Sequence, residues 1–165
     1  MDERQPFDLE TYVRRATGGP CFICEMLRGN SDFAHHVVAE DASHVVFLSK
    51  YPTLRGYCLV APKRHLEDLA EDLSAEAYLA LQALVHRLSR ALKHVFEAER
   101  IYVLSLGSQQ ANSHIHVHVV PLPRGVPLAK QQYHALMVEN GVLRLPDEEM
   151  AEIARRIAGA LAEIP

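Results

Sequence analysis

The run Ser113-His114-Ile115-His116-Val117-His118-Val119-Val120-Pro121 constrains this chain more than any other stretch, because three histidines alternate strictly with β-branched residues. Successive side chains of a strand point to opposite faces. The pattern predicts a strand with an imidazole face, His114, His116 and His118, and an apolar face, Ile115, Val117 and Val119. Neighbouring imidazoles on such a face stand roughly 6.6 Å apart, so a phosphate-sized group or a metal ion reaches more than one of them. Packing alone does not explain them, since each buried imidazole would need a hydrogen-bond partner of its own. The strand therefore predicts a sheet covered on its apolar side and chemically active on the other.

The cover is legible between Ser74 and Val95. Ser74 is a good N-cap, and Tyr78, Leu81, Val85, Leu88, Leu92 and Val95 recur at spacings of three and four, the signature of one long amphipathic helix. Before it, strands are predicted at about 35 to 39, at His44 to Leu48 and at Gly56 to Ala61. Pro52, Gly56 and Pro62 punctuate these into an antiparallel meander. Arg100 to Gly107 reads as a further strand leading into the histidine run. Helical pieces are expected at Asp8 to Arg15, stopped by Gly18-Gly19-Pro20, at Gln131 to Met137 and, as a terminal amphipathic helix with Met150, Ile153, Ile157 and Leu161, at Asp147 to Glu163. The fold class is α+β, and 165 residues suit one domain.

A net charge of -4 offers no basic footprint for a nucleic-acid duplex, so a small anionic ligand would have to be drawn in by a local site. The start Met1-Asp2-Glu3-Arg4-Gln5-Pro6 has no apolar core of a signal peptide, and no apolar run reaches membrane-spanning length. A cytoplasmic protein without membrane contact is expected. Cys21 and Cys24 have the spacing with which one turn presents two thiolates to a tetrahedral ion, which would need two further ligands. A redox dithiol and two unrelated apolar cysteines are the alternatives. Cys58 falls on a strand pattern and is expected buried, and His35, His36, His44, His86, His94 and His134 show no partner pattern.

The histidine run followed by Val119-Val120-Pro121 resembles the signature of the histidine triad (HIT) family of nucleotide hydrolases and transferases. The resemblance continues through Phe47-Leu48-Ser49-Lys50-Tyr51-Pro52 and Gly56-Tyr57-Cys58-Leu59-Val60-Ala61-Pro62-Lys63-Arg64-His65, and Cys21-Phe22-Ile23-Cys24 resembles the opening of its zinc-bearing members. It implies a HIT-like fold, a five-stranded antiparallel sheet with the long helix between strand pairs, commonly paired into a homodimer. Residues 20–125 would form the core, 1–19 an N-terminal arm and 126–165 a C-terminal helical extension.

The resemblance implies that His116 attacks the α-phosphorus of a nucleotide and forms a covalent nucleotidyl-histidine, while His118 supports the phosphate. It implies one structural zinc on Cys21, Cys24, His65 and His114. It also implies apolar walls for the base, adenine by preference, from Ile23, Met26, Phe47 and Leu48. If the extended conformation continues backwards, Gln110 and Asn112 share the face of His114 and His116 as amide donors to phosphate oxygens, and Gln110 holds the position of the family's glutamine. Three positions depart from the pattern: Ala111 replaces a hydroxyl residue, Ser49 stands at the ribose contact and Ser105 replaces an asparagine. A hydrolase acting on a dinucleoside polyphosphate, a phosphoramidate or another adenylated substrate is expected. A phosphorylase or nucleotidylyltransferase, a non-catalytic nucleotide-binding regulator and a catalytic metal site on the three histidines are the alternatives.

Overall fold

The computed structural model describes residues 3–165; Met1 and Asp2 of the acidic N-terminal stretch lie outside the described residues. Helix α1 (Leu9–Gly18) and the short α2 (Phe22–Leu27) precede strands β1 (Val37–Glu40), β2 (His44–Leu48) and β3 (Cys58–Pro62). Helix α3 (Ala75–Val95) then leads to β4 (Arg100–Ser105) and β5 (Val117–Leu122), and α4 (Tyr133–Leu136) and α5 (Asp147–Ala162) complete the chain. The five strands form one antiparallel sheet in the order β1-β2-β3-β5-β4. β5 is thereby inserted beside β3, and β4 lies at the edge.

Alternation along the strands divides the core. On one face Val46, Leu48, Cys58, Val60, Ile115, Val117 and Val119 meet Leu81, Val85, Leu88 and Leu92 of α3 and Ile153 and Ile157 of α5. The predicted helical stripe is thus the cover of the sheet, and Ser74 caps it by accepting the Ala77 N–H at 3.2 Å. The terminal helix joins α3 on this face. On the other face Val45, Phe47, Leu59 and Ala61 pack against Ile23 and the rest of α2, while Leu54, Tyr57, Val120 and Leu122 pack against Val126, Ala135 and Leu136. The second face is therefore covered at both ends, and between its two apolar patches lie His116 and His118.

One glycine-bearing turn positions the site. Gly56 takes φ +74°, and a Cβ there would stand 2.3 Å from the Phe96 ring, so the chain passes from β2 to β3 only with glycine at this point. The C-terminal segment is tied to the N-terminal arm through the Gln5–Val142 bridge and the Arg4 guanidinium on the Ala135 carbonyl at 2.8 Å.

Three expected elements differ. The ladder of β5 begins at Val117, so His114 and His116 precede it; the Ile115 N–H donates to Leu66 O at 2.7 Å instead of to a neighbouring strand. The chain does not run extended back to Gln110: Ser108 and Ala111 exchange backbone hydrogen bonds in a tight turn, and Asn112 takes φ +55°. The helix expected over Gln131 to Met137 is the single turn of α4, entered through Gln132 at φ +54°.

Candidate active site and metal centre

Although His114 and His116 lie outside the ladder, the apolar face of the run enters the α3 core and the imidazoles turn to the other side. His116 is 4% exposed and its ring centroid stands 4.8 Å from that of His118, closer than the separation expected of an ideal strand. The His116 Nδ1 lies 2.7 Å from the His114 carbonyl oxygen. A carbonyl only accepts, so Nδ1 carries the proton and Nε2 holds a free lone pair. Burial, only partly offset by that bond, holds the ring's pKa down and keeps it neutral.

His118 is held through its Nδ1, which lies 2.9 Å from the Tyr57 hydroxyl, whose pKa burial raises. The phenol keeps its proton, and when it donates that proton to Nδ1, His118 carries its own proton on Nε2. That Nε2 is buried with no protein partner among the described residues. Burial, and secondarily the neighbouring His116, depress the His118 pKa to about 3. Two adjacent neutral imidazoles thus present a nucleophilic nitrogen and an unsatisfied N–H donor, the pair of groups that attack on phosphorus and stabilisation of its oxygens require.

The first histidine of the run faces a different centre. His114 Nδ1 lies 3.4 Å from Cys21 Sγ and 3.6 Å from Cys24 Sγ, and His65 Nδ1 lies 3.3 Å from Cys24 Sγ. All four donor atoms fall within 4.8 Å of one another. Tetrahedral bonds of roughly 2.0–2.3 Å imply donor separations of about 3.3–3.8 Å, so three of the observed edges are already of that size. The outer nitrogens are also engaged, His114 Nε2 by Pro62 O at 2.8 Å and His65 Nε2 by Glu67 Oε1 at 2.9 Å, which turns both Nδ1 atoms inward. Burial raises the Cys21 pKa, but the His114 ring and the Cys24 N–H outweigh it and bring the thiol to about 6. Burial and the neighbouring Cys21 push Cys24 up to about 11. These residues could hold a metal ion, and their arrangement fits the zinc-bearing branch of the family considered below.

The remaining predicted contacts are distributed unevenly. Ile23 and Phe47 are fully buried and Met26 half-buried beneath α2. Leu48 is not with them: one residue on from Phe47, it lies on the opposite face in the α3 core, a correction that strand alternation imposes. The Ser105 hydroxyl donates to the His116 carbonyl at 3.2 Å, and the Ser49 hydroxyl accepts the Tyr51 N–H at 3.3 Å. Gln110 is exposed on the loop turn, while the Asn112 amide donates to the Tyr12 hydroxyl at 2.9 Å. The loop still passes His116 closely, for a Cβ on Gly107 would lie 3.9 Å from His116 Cε1. Cys58 is buried in β3, as expected of a strand residue.

Four neighbours were absent from the sequence-based site: Tyr57, Tyr12, Phe22, whose ring lies 6.1 Å from His116, and His35. Tyr57 had a signal, since it lies in the Gly56–His65 stretch that carries the resemblance. His35 had none; it is a half-buried, satisfied residue whose Nδ1 donates to Phe33 O at 2.7 Å and whose ring lies 5.2 Å from Phe47.

A five-stranded antiparallel α+β domain joining a Cys–Cys–His–His cluster to a pair of buried imidazoles defines a small class of proteins. The HIT domain model matches residues 30–125, and the chain belongs to that family, whose members include nucleotide-binding hydrolases and transferases. The chain is 28% identical over 147 residues to an uncharacterised HIT-like protein of Mycobacterium tuberculosis, covering 87% of this chain and 94% of that protein. It is 31% identical over 106 residues to the adenosine 5'-monophosphoramidase hnt1 of Schizosaccharomyces pombe, 62% of this chain and 74% of that protein. A Zn-bound histidine triad family protein from Mycobacterium smegmatis has a TM-score of 0.68 at 27% identity, covering 87% of this chain and 94% of that one. A hypothetical histidine triad nucleotide-binding protein from Sulfolobus tokodaii shares the fold with a TM-score of 0.69 at 22% identity, covering 86% of this chain and 92% of that one.

Proposed function

We propose that this protein cleaves a nucleoside phosphoramidate or dinucleoside polyphosphate at the α-phosphorus through a covalent nucleotidyl-His116 intermediate. The observation that carries this reading is the buried pair His116 and His118, ring centroids 4.8 Å apart, with His116 Nδ1 held by the His114 carbonyl and His118 Nε2 without a partner among the described residues. The His116 Nε2 lone pair forms the N–P bond as the bond from phosphorus to the leaving amine or phosphate breaks. The positive charge that develops on the ring is stabilised through Nδ1–H by the His114 carbonyl, already in place at 2.7 Å. The His118 Nε2–H donates to a phosphate oxygen, gaining in the complex the partner it lacks in the free protein. Water then attacks phosphorus, the N–P bond breaks and His116 is regenerated with release of the nucleoside monophosphate. Gln110 and Asn112, on the loop that follows Gly107, are assigned to the phosphate or leaving-group side, while Ile23, Met26 and Phe47 back the base.

The donor set of Cys21, Cys24, His65 and His114 suits zinc, which as a closed structural ion would fasten α2 to the histidine run. The same reading makes the chain a single unit of arm, core and extension, supported by the bonds of Arg4 and Gln5 to the C-terminal segment. It also makes the protein a cytoplasmic homodimer joined through β4. The edge position of β4 and the exposure of Val103 and Leu106 support the pairing, and reduced thiols in a metal-competent cluster suit the compartment.

A product assay with adenosine 5'-phosphoramidate and diadenosine polyphosphates, run with and without inorganic phosphate, tests the proposal. Nucleoside monophosphate is expected irrespective of added phosphate, and its formation should cease in His116→Ala. Phosphate-dependent formation of a nucleoside diphosphate would identify a phosphorylase instead. Tight nucleotide binding with no turnover of any substrate would identify a regulator.

A further inference from the structure

His35 has no part in the chemistry above, yet it is fixed where a nucleobase would meet it. Phe22 stands beside His116, and the His35 ring lies 5.7 Å from Phe22 and 5.2 Å from Phe47. Phe47 is wholly covered, so the aromatic surface open to a ligand on this flank consists of the half-buried Phe22 and His35. The other flank of His116 is polar, formed by His118 and Tyr57. A nucleotide whose phosphate engages His116 and His118 would find its apolar stacking surface on the Phe22 side.

The hydrogen bonding of His35 gives that surface a polarity. Its Nδ1 donates to Phe33 O, so Nε2 is left as an acceptor, and no protein donor meets it among the described residues. Burial, with Lys50 and His36 as lesser contributors, keeps the ring in its neutral form. Phe33 itself is held in a short turn, Ser31–Phe33, whose start is capped by the Asn30 side chain. The acceptor is thus oriented by the backbone, not by a mobile side chain.

We infer that His35 determines base specificity: its Nε2 accepts a hydrogen bond from the exocyclic amino group of an adenine laid on Phe22. This rests on the nucleotide reading above and carries it from the phosphate to the base. An unsubstituted purine offers no donor at that position, and a six-position oxygen would place two acceptors against each other.

Equilibrium binding to the His116→Ala protein tests the inference apart from catalysis, because no bond is broken. The ligands are AMP and purine riboside 5'-monophosphate, which lacks only the amino group. The expected preference for AMP is roughly three- to tenfold, the worth of one partly solvated neutral hydrogen bond. In His116→Ala combined with His35→Phe, which retains a ring against Phe22 and Phe47, the ratio should fall to about one. Equal binding of both nucleotides with His35 intact, a preference that survives His35→Phe, or loss of all binding in that variant would overturn the inference. A preference that depends on His35 in a protein with no turnover would sink the catalytic reading and leave this one standing. Turnover through His116 that is indifferent to the amino group would do the reverse.

Discussion

At the residue scale, the site depends on which nitrogen of each imidazole carries the proton. His116 is fixed by a carbonyl that can only accept, and His118 is biased by a phenol that keeps its proton and has His118 Nδ1 as its acceptor. Replacing Tyr57 with Phe frees His118 to adopt either tautomer and removes one hydrogen bond. Turnover should fall about three- to tenfold, a change of roughly 0.5–1.5 kcal/mol, measurable as kcat. His118 also couples stability to pH. Burial and His116 hold its folded pKa at about 3, below an ordinary value of 6.5. Between those values the unfolded chain binds a proton that the folded chain refuses, so stability is full above about pH 6.5 and declines as pH falls toward 3. The contribution approaches about 1.4 kcal/mol per pH unit. Urea unfolding from pH 7.5 to 5 should show a steeper loss in the natural chain than in His118→Asn, whose amide oxygen still accepts the Tyr57 proton.

The placement of individual residues was readable in the sequence where one residue type carries the signal, as at His116, buried beside His118, or at the Cys21–Cys24 pair, gathered with His65 and His114. It was not readable at His35, whose position depends on a turn at Ser31–Phe33 and on two phenylalanines distant in the chain.

At the element scale, β2 runs from His44 to Leu48 and α3 follows Ser74, as alternation and helical spacing predict. These patterns are strong because each element buries one side on a large core. Prediction failed where the chain leaves the ladder. Parity requires an unbroken extended backbone, and the Ser108–Ala111 turn together with Asn112 at φ +55° breaks it before Gln110. The cluster of Cys21, Cys24, His65 and His114 joins α2, the exit of β3 and the histidine run. Elemental analysis should find one zinc per chain, retained in His116→Ala and lost in Cys21→Ala. The loss should lower stability by at least about 2 kcal/mol, or roughly 4–8 °C in Tm. Zinc lost from His116→Ala and kept in Cys21→Ala would instead place the ion on the imidazole face. Gly56→Ala combines a strained φ with a clash on Phe96, and denaturant unfolding should register a loss above about 2 kcal/mol.

At the scale of the whole molecule, the C-terminal extension does more than follow the core. Ile153, Ile157 and Leu161 of α5 are buried, and the helix covers α3 and the β1–β2 end of the sheet. The amphipathic pattern announced the helix, but nothing in it revealed which face of the sheet it would join. At the opposite edge β4 pairs with β5 alone among the described residues, which leaves its outer side open, with Val103 47% exposed. Light scattering should give the mass of a dimer, and Val103→Lys, which blunts an open edge, should shift it toward the monomer. A monomer at all concentrations in the natural protein would contradict pairing through β4.

The proposed function turns on one bond, between His116 Nε2 and an α-phosphorus. The most direct test is to quench the reaction with adenosine 5'-phosphoramidate at early times and map the modified peptide by mass spectrometry. One adenylyl group on His116 is predicted, formed and consumed at rates that match turnover and absent from His116→Ala. Turnover without any protein-bound nucleotide, or an adduct that persists in His116→Ala, would contradict the nucleotidyl-histidine route.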